Sequence, residues 1–256
     1  MTAPQPDSIQ SLARGLAVIR AFDAEHPRLA LAEVARRTGL SRATARRVLH
    51  TLIAEEYAVT DGREFALTPR ILELGFAYLS ALGLPAVAQP HLERLSAETG
   101  ESTSLAVLDG GDVVYVARVA TRRIMSVGIT VGTRFPAYAT SLGRVLLAGL
   151  DEAALAAYVA DADLVARTPG ALATEADLRA ELVRVREQGW ALVDQELERG
   201  LRSLAAPVLD GSGAVVAAVN VSTSAYDDRT LPGDVLAPLL ACTAAVRGDL
   251  AAGRVR

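Results

Sequence analysis

Residues 35–52, ARRTGLSRATARRVLHTL, constrain the fold more tightly than any other stretch of the chain. Ala45, Val48, Leu49 and Leu52 stand at i, i+3, i+4 and i+7, one apolar stripe on a helix that Ser41 would cap and that runs to about Glu55. At about 100° per residue, Ala43, Arg47 and His50 fall opposite that stripe, with Thr44 and Arg46 on its flanks. A shorter pattern over 31–38, with Leu31, Val34 and Ala35 inward, stops at Gly39. Two helices joined by Gly39-Leu40-Ser41 have the layout of a helix-turn-helix, whose second helix enters the DNA major groove by its N-terminal half. A further helix is expected over 11–22, with Ser11 as its N-cap.

Charge supports this layout. All 26 basic residues are arginine, so a single arginine is uninformative, but 36–47 holds five with no acidic residue while the whole chain is at −4. A basic patch on an acidic body suits contact with phosphates. Ser41, Arg42, Thr44, Arg46 and Arg47 are the candidate DNA contacts. Arginine can meet phosphate or guanine, threonine a phosphate or thymine methyl, and Ser41 a phosphate at the helix start. The Asp61-Gly62 pair within 57–69 signals a two-residue hairpin, a wing with Arg63 at its tip. A solvated arginine-rich helix is the competing explanation, and His50 is as readily a surface residue as a DNA contact.

Residues 70–82 are helical in pattern, with Ile71, Leu74, Phe76, Tyr78 and Leu79 apolar, and end at Gly83 and Pro85 as a connector. Beyond about residue 90 the pattern becomes mixed. A helix is expected over 90–100, strands over 102–109, 112–121 and 124–130, helices over 141–150, 151–160 and 174–190, strands over 190–197, 201–210 and 213–224, and a closing helix over 236–250. That order predicts an α+β fold. The lone Cys242 and the scattered His26, His50 and His91 give no disulfide framework or metal spacing. No cofactor is expected. The amino terminus lacks the layout of a secretion signal and no long apolar run suggests a membrane span, so a cytoplasmic location is expected.

With LAEVARRTGLSRATARRVLHTL, the segments LGFAYLSALGLPAVAQPHLERLSAETGES, FPAYATSLGRVLLA and DQELERGLRSLAAPV stand in order along nearly the whole chain. Together they resemble the IclR-type bacterial transcriptional regulators. RRIMSVGITVGTRFPAYATSLGRVLLA is further similar to the subgroup controlling the β-ketoadipate pathway of aromatic degradation. The resemblance implies a winged helix-turn-helix over 1–69, a linker helix over 70–84 and a GAF-like effector domain over 85–256. It also implies a palindromic double-stranded DNA operator, a homodimer or tetramer, and a small organic-acid effector such as protocatechuate or 4-hydroxybenzoate.

The family's acid-binding positions fall on Ser141, Leu142, Asp194, Leu201, Ser203, Asn220 and Ser222. Ser141 would open a helix whose first N–H groups favour a carboxylate, while Ser203, Asn220 and Ser222 would supply hydrogen bonds. Asn220 and Ser222, two apart, face one side of a strand. In acid-binding members the counterparts of Ser203 and Asn220 are often cysteine and serine, and those of Ser141 and Leu142 are smaller. Met125 and Val127 could wall an aromatic ring, and Arg123 and Arg134 could pair with a carboxylate. Two other classes remain open on sequence: an enzyme acting on a small organic acid with an appended DNA-binding domain, and a structural DNA-binding protein without an effector. Against the enzyme, no nucleophile elbow, phosphate loop or dinucleotide fingerprint is present.

Overall fold

In a computed structural model, the described residues are 8–23, 25–75, 83–121, 129–226 and 230–252. The chain divides into two compact units, 1–78 and 79–256. In the first, helices α1 (Gln10–Ile19), α2 (Leu31–Thr38) and α3 (Arg42–Ala54) accompany strands β1 (Leu29–Ala30), β2 (Ala58–Thr60) and β3 (Glu64–Leu67), which form a sheet in the order β1-β3-β2. Val18, Val34, Ala35, Ala45, Leu49 and Leu52 close its core, as the apolar stripe predicts. Burying a leucine such as Leu49 contributes about 1.5–3 kcal/mol. Gly39 adopts the left-handed conformation that ends α2, with φ 69°. The N-cap of α1 is Ile9 rather than Ser11, which lies inside the helix.

The wing is a three-stranded sheet rather than a lone hairpin, because Leu29 and Ala30 pair with Phe65 and Glu64. Thr60 pairs with Phe65, and the Asp61 N–H donates to the Glu64 carbonyl, so the two tip residues are Gly62 and Arg63, one step beyond the expected pair. The chain continues in a short 3-10 turn (Pro69–Ile71) and is helical through Gly75. Of the expected connector helix, Phe76, Tyr78 and Leu79 lie outside the described residues.

In the second unit, α4 spans Leu84–Thr99, longer than the sequence pattern predicts. Gly83 and Pro85, taken as a stop, open this helix instead, with proline in its first turn where a missing N–H costs nothing. The buried positions Leu84, Val87, Ala88, His91, Leu92, Leu95, Ser96 and Thr99 keep one helical face, which carries the helix through Pro90.

The remaining elements are β4 (Ser102–Asp109), β5 (Asp112–Val119), β6 (Arg134–Pro136), α5 (Ser141–Ala148), α6 (Glu152–Asp161), α7 (Glu175–Gln188), β7 (Ala191–Asp194), β8 (Leu201–Leu209), β9 (Val215–Ser224) and α8 (Leu236–Ala251). The strand expected over 124–130, with Arg123, Met125 and Val127, lies largely outside the described residues; β6 pairs with β5 just beyond it.

These strands form one antiparallel sheet in the order β6-β5-β4-β9-β8-β7. One sheet face packs on α4 and α8 through Leu105, Ala117, Leu204, Val219 and Val221. The other carries Ala106, Tyr115, Ala205 and Ala218 beneath α5 and α7. On that second face the residues toward one end turn polar: Ser102, Ser104, Ser203, Asn220 and Ser222 are all buried and in register across β4, β9 and β8.

Candidate functional site

Two sets of residues stand out, one in each unit. On α3, Ser41 caps the helix by accepting from the Thr44 N–H at 3.2 Å, and its hydroxyl donates to Thr44 Oγ1 at 3.0 Å. Ser41, Arg42, Arg46, Arg47 and His50 are exposed and Thr44 is half-buried. The five arginines of the basic run are not equivalent. Arg36 pairs with Glu33 and Arg37 with Asp23. Arg42, Arg46 and Arg47 have no carboxylate partner among the described residues, and Arg46 Nε donates to His50 Nε2 at 3.3 Å. Arg63 is exposed at the wing tip. The tip is held by Asp61, whose Oδ1 accepts from the N–H groups of Glu64 at 2.8 Å and Arg63 at 2.9 Å. Those bonds, with Arg28 beside it, lower the Asp61 pKa to about 2.

In the second unit, the polar end of the sheet meets the start of α5 in a cavity of about 20 Å³. Ser141, Leu201, Ser203, Asn220 and Ser222 all line it, five of the seven expected positions. Ser141 Oγ lies 2.7 Å from Ser203 Oγ; Asn220 Nδ2 donates to Ser203 Oγ at 2.8 Å and to Ser222 Oγ at 3.1 Å. The buried Asn220 Oδ1 has no partner among the described residues, a deficit that costs about 1–3 kcal/mol. Leu142 and Asp194 are not brought to this cluster: the Leu142 side chain packs in the core below α5. Asp194 is exposed, one residue past the cavity-lining Val193, and so on the other side of its strand.

Ser141 opens α5 as expected, and Thr140 before it is the cap, its Oγ1 accepting from the Gly143 N–H at 2.9 Å, which leaves the Ser141 hydroxyl for Ser203. Arg134 is not available to a carboxylate: it donates to Asp109 at 2.6 Å and Asp112 at 3.1 Å.

Tyr115, Ile129, Ala139, Thr140, Val193 and Leu197 complete the lining and were not singled out in the sequence. Burial pushes the Tyr115 phenol up to about 12, and its ring meets Phe135 edge-on at 5.9 Å. Leu197 belongs to the loop after β7, which is pinned from below. Arg144 is buried on α5, and Nη1 and Nη2 donate to the two oxygens of Glu196 at 2.9 and 2.6 Å. The Leu172 N–H also donates to Glu196, at 3.1 Å. The SLGR segment gave a signal for Arg144 only as one more arginine.

A winged helix-turn-helix with an exposed arginine face, in a chain that also carries an enclosed polar pocket on an antiparallel sheet, defines a transcriptional regulator with a separate sensor unit. Residues 11–62 match the IclR helix-turn-helix domain and 76–246 the C-terminal domain of bacterial IclR transcriptional regulators. The chain belongs to the IclR family. It is 51% identical to the Pca regulon regulatory protein of Pseudomonas putida, over 89% of this chain and 81% of that one. It is 40% identical to the p-hydroxybenzoate hydroxylase transcriptional activator of Acinetobacter baylyi, over 93% and 90%. The crystal structure of an IclR homolog from Microbacterium hydrocarbonoxydans complexed with 4-hydroxybenzoate superposes with a TM-score of 0.85 at 26% identity, covering 94% and 99%. The relatives are named as regulators rather than enzymes.

Proposed function

We propose that the chain is a cytoplasmic regulator of aromatic-compound catabolism, in which a small organic acid bound in the second unit changes the hold of the first on a palindromic operator. The names of the relatives support the pathway. The observation that carries the reading is the division of the basic run: three arginines face outward on α3 with no carboxylate beside them among the described residues. Arg42, Arg46 and Arg47, with Ser41 and Thr44, are assigned to phosphates and base edges of the major groove, and Arg63 to the flanking groove or backbone. Two copies reading two half-sites supply the contact area that a single helix-turn-helix lacks, so a homodimer or a pair of dimers is the operating form.

The effector is assigned to the cavity among Ser141, Leu201, Ser203, Asn220 and Ser222, where the three serines and the asparagine supply hydrogen-bonding groups in a largely apolar enclosure. Residues 1–69, 70–84 and 85–256 are assigned as DNA-binding domain, linker and effector domain.

The test is a gel-shift titration of the full chain on the promoter beside its own gene, with and without protocatechuate, 4-hydroxybenzoate, catechol, muconate and β-ketoadipate. One acid is expected to alter operator binding and to raise the melting temperature of the protein. Ser222→Ala is expected to weaken that acid while leaving DNA binding by the unliganded protein intact. Absence of any duplex binding at low ionic strength would overturn the reading.

A further inference from the structure

The cavity lining is neutral, whereas an organic acid brings a negative charge that needs a partner. Beside the lining is a group with the opposite deficit. Arg118, on β5, is half-buried and has no carboxylate partner among the described residues. Two other arginines of this unit are already paired, Arg144 with Glu196 and Arg134 with Asp109 and Asp112. Arg118 Nη1 donates to Ser104 Oγ at 3.2 Å, and its Nε is buried without any hydrogen-bond partner among the described residues. Burial pulls its pKa below the usual arginine value, with the neighbouring Tyr115 the opposing influence.

Register puts this cation at the pocket. Ser104 pairs with Asn220 on one side and with Arg118 on the other, so the three share the sheet face below α5. Strict alternation would set Tyr115 and Arg118, three apart, on opposite faces. A bulge between Leu105 and Ala106 restores them to the same one, with Val116 as the extra residue. Tyr115 lines the cavity and Arg118 lies next to it, two strands from Asn220 with Ser104 of β4 between them.

We propose that Arg118 anchors the effector's carboxylate, the body of the acid lying across Tyr115 and its far polar end reaching the Ser203–Asn220–Ser222 cluster. A cavity of about 20 Å³ holds little more than a water and must widen to take any such acid. Widening toward Arg118 gives a half-buried cation the anion it lacks, and a guanidinium matches a carboxylate with two parallel hydrogen bonds. This inference rests on the cavity being the effector site.

The test uses full-length wild-type, Arg118→Gln and Arg118→Lys proteins. Calorimetry with 4-hydroxybenzoate, protocatechuate and β-ketoadipate is accompanied by 4-hydroxybenzamide as a neutral counterpart of the first. Arg118→Gln is expected to lose roughly ten- to hundredfold in affinity for the acid that binds, while the amide is unaffected and Arg118→Lys retains part of the binding. Without ligand, Arg118→Gln is expected to melt no lower than wild type, because it removes an uncompensated charge, and to retain operator binding. Acid affinity equal to wild type overturns the assignment. So does a drop in the ligand-free melting temperature with equal loss of acid and amide, which marks a structural residue. Failure of all three acids to bind wild type overturns the effector pocket itself, and this inference with it.

Discussion

Arg36 and Arg46 read alike in the sequence and differ in the fold. The first is closed onto Glu33 one turn away, and the second stands on the exposed face of α3, where it donates to His50 and meets no carboxylate among the described residues. Arg46→Ala is therefore expected to weaken operator binding, and Arg36→Ala to leave it near wild type. If Arg46 meets a base, a competition assay across operator variants will show discrimination at one position per half-site falling by about 1–3 kcal/mol. Equal loss on all sequences would make it a phosphate contact.

Asp61 offers a second measurement at this scale. Its carboxyl is held at about 2, first by the Glu64 and Arg63 N–H groups and then by Arg28, against an ordinary 3.8. A lowered folded pKa means that its contribution to stability is complete above about 3.8 and is lost as pH falls through about 2. Carbon-detected NMR should place the Asp61 midpoint near 2; a midpoint near 3.8 would show that the turn does not hold the carboxylate.

Among the elements, α5 depends on a close approach that only glycine permits. A Cβ at Gly143 would stand 2.0 Å from the Ala137 carbonyl oxygen, in the turn that leads into the helix. Gly143→Ala is expected to destabilise the protein by about 1–3 kcal/mol in urea or thermal melts. Because α5 carries Ser141, effector affinity should fall as well.

Elements with their own local signals were legible: α3 by its stripe and its serine cap, α2 by its glycine stop, and α6, α7 and β4 by their residue patterns. Asn220 and Ser222 came from the resemblance, and alternation set them on one side of their strand. Tyr115 and Arg118 were not legible, because a bulge resets the alternation between them and leaves no mark in the sequence. Leu142 and Asp194 were carried by resemblance, which transfers positions without saying which way a side chain turns.

At the scale of the molecule, element order was readable, but the pairing that builds the pocket was not. β4 lies beside β9, more than a hundred residues on, and this neighbourhood brings Ser104 to Asn220. No local pattern encodes such a long-range pairing. The division of labour was legible, since a basic run on an acidic chain and a change of pattern near residue 90 separate the two units.

The tight enclosure around Ser203 and Asn220 has a consequence in time. A space of about 20 Å³, walled by Leu197 and Leu201 and fastened through Glu196 to Arg144, cannot admit an aromatic ring until the protein itself opens. Encounter is then not the slow step. In stopped-flow mixing, the observed association rate should climb with effector concentration only at first and then level off at the opening rate; a rate that stays proportional to concentration throughout would mean the door already stands open.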